Sequence, residues 1–275
     1  MPPRETATIT STRNPRIVEA RKLAQRKHRE RQGRFLVEGL QLIGMALAAG
    51  YRPLEVFYAP EMASSAAAQA VLEQLGALDV PRTPVAPHVM EALAERELSQ
   101  GLVAIFRLWA TDLASLPVGA GSLVLVLDRL QDPGNLGTLV RTADAVGAAA
   151  VVLLEPAVDP FHPKAVRATM GSLFHVPIAR TADAAGALAA LRAAGLRTVA
   201  ADPYRGVPWG EGLLDGGVAL VMGSEAHGLS EDLRAAVEGW AILPMVGRAE
   251  SLNVAEAGSV LMYFWLHASS APPQD

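Results

Sequence analysis

The chain has 275 residues, of which 51% are hydrophobic and 19% charged, and it contains no cysteine. That length suits two ordinary domains better than one, since single cores stop growing near ~250 residues, and the composition excludes general disorder. The missing cysteines exclude disulfides, thiolate zinc sites, iron–sulfur clusters and thiol nucleophiles, and no segment has the ~20 uninterrupted apolar residues of a bilayer span. The polar start MPPRETATIT lacks the apolar stretch of a secretion signal, so a soluble cytoplasmic protein is expected.

The net charge of −4 conceals a division. Residues 1–34 carry ten basic side chains against three acidic ones, a surplus of +7 that leaves −11 on the other 241 residues. A basic arm on an acidic body suits contact with phosphates, and a solvated basic helix fits the same charges. Residues 14–31, with only Ile17, Leu23 and Ala24 as an apolar stripe, predict one basic surface helix.

Alternation then sets in. Strands are predicted over 34–38, 54–58, 80–83 and 101–108, and helices over 40–49, 64–75 and 87–95, two of them closed by Gly50 and Gly76. This is a small α/β domain ending at residue 108. Residues 109–121, WATDLASLPVGAG, have linker composition. A second series follows, with strands over 122–127, 150–155, 174–179, 198–201, 218–222 and 241–243 and helices over 136–146, 163–170, 182–194, 231–237 and 253–267. Near-continuous apolar strands between helices predict a parallel sheet covered on both faces, spanning 122–268 and followed by a polar tail, 269–275.

Ligands of open parallel sheets bind beyond the carboxyl ends of the strands, and three such loops carry unusual residues. In DRLQDPGNLGTLVRTADAVGA, from Asp128, the residues Leu136, Leu139, Val140, Ala143 and Val146 form one helix face and leave Arg141 off it, one turn after Gly137. Asn135 there fits an N-cap or a site residue, and Arg141 fits a surface charge or a ligand contact. In VMGSEAHGLS, from Val221, Gly223 permits close backbone approach and Glu225 is a carboxylate at a strand end, while Ser230 suits an N-cap and His227 a solvated loop position. In ILPMVGRAESLNV, from Ile242, Ser251 and Asn253 flank Leu252 just before a long apolar helix, as caps or as site residues. Neither a dinucleotide fingerprint nor a Walker sequence occurs.

Together, N-L-G-x-x-x-R-T-A-D-A-x-G, G-S-E-x-x-G-L and L-P-M-x-G-x-x-x-S-L-N-V-x-x-A closely resemble, in order and spacing, the three motifs of the SpoU class of SPOUT RNA 2′-O-ribose methyltransferases. The stretch DPFHPKAVRATMGSLFHVPI, from Asp159, resembles another loop of that class, and NPRI, R-F-L-V-E-G and L-V-A-I-F resemble its L30e-like substrate-binding domain. The resemblance implies a parallel-sheet SPOUT domain with a deep carboxyl-terminal trefoil knot, a rare exception to ordinary connectivity. It implies S-adenosylmethionine as methyl donor, bound at Gly223, Leu243 and Leu252, and no metal. It places Asn135, Arg141, Glu225, Ser251 and Asn253 around a ribose 2′-hydroxyl. It further implies a homodimer using the final helix, and structured RNA as substrate, ribosomal rather than transfer RNA. Arg21, Lys22, Arg26, Lys27, Arg29, Arg31 and Arg167 are then the expected RNA contacts.

Overall fold

The computed structural model describes residues 7–94, 100–224 and 227–270. It divides into two compact units, one holding the chain to Trp109 together with Phe161–Phe174, the other Ala110–Pro160 and the chain from His175 onward.

The first unit opens on α1 (Pro15–Lys22) and α2 (Arg26–Gln32), followed by β1 (Arg34–Glu38), α3 (Leu40–Ala48), β2 (Glu55–Tyr58), α4 (Ala66–Ala77), β3 (Arg82–Pro84), α5 (Pro87–Leu93) and β4 (Leu102–Arg107). The sheet order is β1-β4-β2-β3, with β4 antiparallel to both neighbours and β2 parallel to β3. The single basic helix expected over 14–31 is instead two, because Gln25 is extended, with φ −99° and ψ 132°. Nor is it a surface arm. Ile17, Ala20 and Leu23 are buried in the core with Leu36, Phe57 and Met90, and each large side chain contributes roughly 1.5–3 kcal/mol by leaving water.

The rest of the chain supplies β5 (Leu123–Asp128), α6 (Pro133–Ala145), β6 (Ala150–Leu154), α7 (Pro163–Ala168), β7 (Ile178–Thr181), α8 (Ala184–Ala193), β8 (Arg197–Ala201), β9 (Val207–Pro208), β10 (Val218–Met222), α9 (Glu231–Ala236), β11 (Gly239–Ile242) and α10 (Val254–Ser270). The second unit's seven strands run β7-β6-β5-β10-β8-β11-β9, every pair parallel. β5, β6 and β10 are buried throughout, as expected for strands covered on both faces. Gly258 lets α10 settle closely on α6, since a Cβ there would lie 2.6 Å from Leu139 Cδ2, and the Thr142 and Ser259 hydroxyls share a 2.9 Å hydrogen bond alongside.

The segment Phe161–Phe174, which includes α7, was expected in the second domain and packs instead with the first unit. Aromatic contacts account for this. Phe161 lies 4.8 Å from Phe35 and 4.9 Å from Trp109, and Phe174 lies 5.6 Å from Phe106, ring centroid to centroid. These partners are distant in sequence, so local periodicity carries no trace of them.

Candidate active site

The loops after β8, β10 and β11 meet at the carboxyl ends of the parallel strands of the second unit. Between them lies a cleft of about 620 Å³, within the ~300–1,000 Å³ typical of small-molecule sites. Gly223, Leu243, Ser251, Leu252 and Asn253 all line it, so residues from two separate sequence motifs share one cavity. Gly223 is sterically required. A Cβ there would stand 2.4 Å from the carbonyl carbon of Gly228, because Ser224 and Gly228 exchange backbone hydrogen bonds of 3.1 and 2.9 Å directly beside it. The far side of this loop is held by Asp128 at the end of β5, whose Oδ2 accepts from the Ser230 N–H at 2.8 Å. Ser230 stands at the N-cap of α9, yet no side-chain cap bond forms. Glu225, expected in the catalytic set, lies outside the described residues.

The first motif joins the cleft through a side-chain bridge. Helix α6 begins two residues before Asn135, and its cap is Asp132, whose carboxylate accepts from the Asn135 N–H at 2.8 Å. Asn135 is therefore not the cap that its position allowed. Its side-chain Oδ1 accepts from Asn253 Nδ2 at 3.2 Å, while Asn253 Oδ1 accepts from the Ala255 N–H at 2.8 Å. Asn253 thus serves as cap-like acceptor and as site residue at once. Arg141 is exposed on α6, outside the residues lining the cleft, and has no hydrogen-bond or ion-pair partner among the described residues.

Four cleft-lining polar residues escaped sequence reasoning: Asp202, Tyr204, Ser224 and Arg234. Asp202 follows β8 directly, so the strand-end rule pointed to it. Its Oδ2 lies 3.9 Å from Arg234 Nη1 and 3.8 Å from Arg205 Nε, and Arg234 Nε donates to the Leu229 carbonyl at 3.0 Å, bracing the glycine loop. His227, read as a solvated loop residue, also lines the cleft.

The basic residues of the first unit fall into different classes. Arg21, Lys27 and Arg31 are exposed, Lys22 pairs with Glu19 at 2.6 Å, and Arg26 pairs with Glu30 at 2.8 Å. Arg29 corrects the expectation of phosphate contact. It is 1% exposed, and its guanidinium donates to the Leu23 and Ala24 carbonyls at 2.7 and 2.9 Å, closing the end of α1 rather than facing solvent. Arg167 of α7 lies 3.8 Å from Glu38.

A parallel α/β domain with a strand-end cleft, preceded by a small mixed-sheet domain, defines a class of two-domain enzyme. Residues 122–263 match the SpoU rRNA Methylase family and residues 14–104 the MRM3-like substrate binding domain; the chain belongs to the SpoU rRNA Methylase family. It is 31% identical to the 23S rRNA (guanosine(2553)-2′-O)-methyltransferase RlmP of Bacillus subtilis, over 93% of this chain and 97% of that one. It is 32% identical to the 23S rRNA (uridine(2479)-2′-O)-methyltransferase of Streptomyces viridochromogenes, over 88% and 85% of the two chains. The AdoMet-bound rRNA methyltransferase from Sinorhizobium meliloti superposes with a TM-score of 0.86 at 34% identity, covering 96% of this chain and 98% of that one.

Proposed function

We propose that the protein transfers a methyl group from S-adenosylmethionine to the 2′-hydroxyl of one ribose in large-subunit ribosomal RNA. The observation that carries this reading is the cleft itself, where Gly223, Leu243 and Leu252 stand beside Ser251 and an Asn253 bonded to Asn135. These residues fit the donor: the close loop approach at Gly223 leaves backbone groups at the wall, and the leucines offer apolar contact to an adenosine. Once bound, that group supplies an electrophilic sulfonium methyl.

The chain's own residues must then hold the hydroxyl in line, take its proton and neutralise the adjoining phosphate. Arg141, exposed and unpaired among the described residues, suits the phosphate role, since a guanidinium presents five N–H donors in a planar fork and no acceptor. Ser251 at the cleft wall suits a proton relay, directly or through water, and Asn135 with Asn253 fixes the register between α6 and the loop. Glu225 completes the proposed set.

The exposed Lys27 and Arg31 support an RNA-facing surface on the first unit. Val260 and Tyr263, 40% and 54% exposed on α10, support a homodimer built on that helix. The return of α10 against α6, with β10 between β5 and β8, supports the trefoil-knot reading, and division near Trp109 supports two domains. Among the described residues no helix is long and apolar enough to cross a membrane. Calorimetry with S-adenosylmethionine, followed by mapping of 2′-O-methyl groups on protein-free 23S rRNA incubated with enzyme and donor, tests the reading. One new methylated nucleotide is expected; donor binding without RNA modification overturns the substrate assignment.

A further inference from the structure

A second cavity lies wholly within the first unit, against the β1 edge of its sheet, with a volume of about 200 Å³. Its floor and walls are apolar, from Leu36, Leu93, Val103 and Val166, and three charged groups border it: Arg21 at the end of α1, Arg167 at the end of α7, and Glu38 at the end of β1. Glu38 is held deep, with its side chain 10% exposed, and Arg167 lies 3.8 Å from it with its own side chain 24% exposed. Arg21 and Arg167 are 146 positions apart in sequence, and only the packing of α7 onto the first unit brings both to one cavity.

We propose that this cavity is a subsite for a single guanine base of the RNA substrate. The inference rests on the RNA-methyltransferase reading above and deepens it. The volume falls below that of typical small-molecule sites and suits one flat ring system between apolar walls. Sequence-specific RNA recognition targets bases splayed out of the helix, stacked on aromatic rings or arginine guanidinium planes and hydrogen-bonded along their edges, and of these the cavity offers the guanidiniums of Arg21 and Arg167. A carboxylate only accepts hydrogen bonds, and guanine is the base whose Watson–Crick edge offers two adjacent donors, N1–H and N2–H2, to match it. Guanidiniums in turn donate to the guanine O6 and N7 acceptors or to its phosphate. The Glu38 carboxylate at the cavity border offsets one of the two guanidinium charges there, which makes the cavity less favourable to a bare phosphate than two arginines alone would be.

The full-length protein is titrated with a protein-free 23S rRNA transcript at several salt concentrations, with GMP, CMP, UMP and inorganic phosphate as competitors. Ala24 lies exposed at the cavity margin, so Ala24→Trp fills the space without entering the core. Ala24→Trp and Arg167→Ala are each expected to weaken binding about tenfold, the size of one lost base contact. Ala24→Trp removes no charge and leaves the salt slope as in the wild type, whereas Arg167→Ala lowers it. GMP competes below the concentration at which CMP, UMP or phosphate does. The subsite is overturned if Ala24→Trp binds rRNA as the wild type does, or if phosphate competes as well as GMP. A wild type that binds donor but no rRNA overturns the function reading itself, and unchanged donor affinity with an unchanged circular dichroism spectrum establishes that each variant folds.

Discussion

Asn253 donates from Nδ2 to Asn135 Oδ1 across 3.2 Å, tying the loop before the last helix to the first turn of α6, 118 positions earlier. The same side chain accepts from the Ala255 N–H, so its two ends do separate work. Asn253→Asp keeps the acceptor at the start of α10 and loses the donor toward Asn135. Thermal stability is expected to stay within about 0.5 kcal/mol of the wild type while kcat/KM falls about tenfold; Asn253→Ala loses both, adding about 1 kcal/mol of destabilisation. Differential scanning calorimetry beside methyl transfer to rRNA separates the two effects.

Gly223→Ala forces a Cβ into the backbone of Gly228, where neither partner is a movable side-chain end. A cost of roughly 1–3 kcal/mol in stability is expected, with S-adenosylmethionine affinity down more than about tenfold. Titration calorimetry reads the affinity, and a variant binding the donor normally would remove Gly223 from the site.

Arg141 makes no contact that the fold needs among the described residues. Arg141→Ala is therefore expected to melt within about 0.5 kcal/mol of the wild type while turnover drops at least about 100-fold, as for other lost clamps on an anionic centre. Near-normal turnover with bound donor would dismiss the catalytic assignment.

The basic residues of α2 should divide into two kinds. Removing the buried Arg29 strips two carbonyls of their donors, so Arg29→Ala costs about 2–3 kcal/mol and leaves the salt dependence of RNA binding as it was. The double variant Lys27→Ala, Arg31→Ala is the converse, neutral in urea melts and flatter in the plot of log affinity against log salt.

Thr198 donates its backbone N–H and its hydroxyl to Glu238 Oε2 at 2.8 and 2.9 Å, and the backbone bond is the chief cause holding the Glu238 carboxyl below its ordinary 4.5. Partial burial opposes the shift, and Arg192 and Arg197 assist it. A lowered folded-state value means the stabilisation is fully present above about pH 4.5 and is lost as pH falls through the folded-state value. Because Glu238 is exposed, its worth stays below about 1 kcal/mol. Urea melts of Glu238→Gln should show that difference at neutral pH and none in strong acid.

The alternation of strands and helices was legible because β5, β6 and β10 are apolar at every position and α6 presents a clean 3.6-residue stripe. The break at Gln25 was not, since the residues after it, Arg26–Gln32, carry no apolar side chain whose period could shift. Asn135 and Asn253 each read locally as caps; their pairing exists only in three dimensions. Arg29 looked like its exposed neighbours because composition does not distinguish a guanidinium in solvent from one on two carbonyl oxygens. Asp202 was reachable by the strand-end rule, but its loop, DPYRG, belongs to none of the three motifs that carry the resemblance.

The chain passes from one unit to the other three times, after Trp109, before Phe161 and after Phe174. A gene fragment ending at Trp109 would therefore encode the small domain without α7, baring the rings of Phe35 and Phe106 that Phe161 and Phe174 cover. Such a fragment should aggregate, and single-site proteolysis near residue 109 should not liberate an intact small domain. In this chain the sequence boundary is no seam along which the two halves can be exchanged as cassettes.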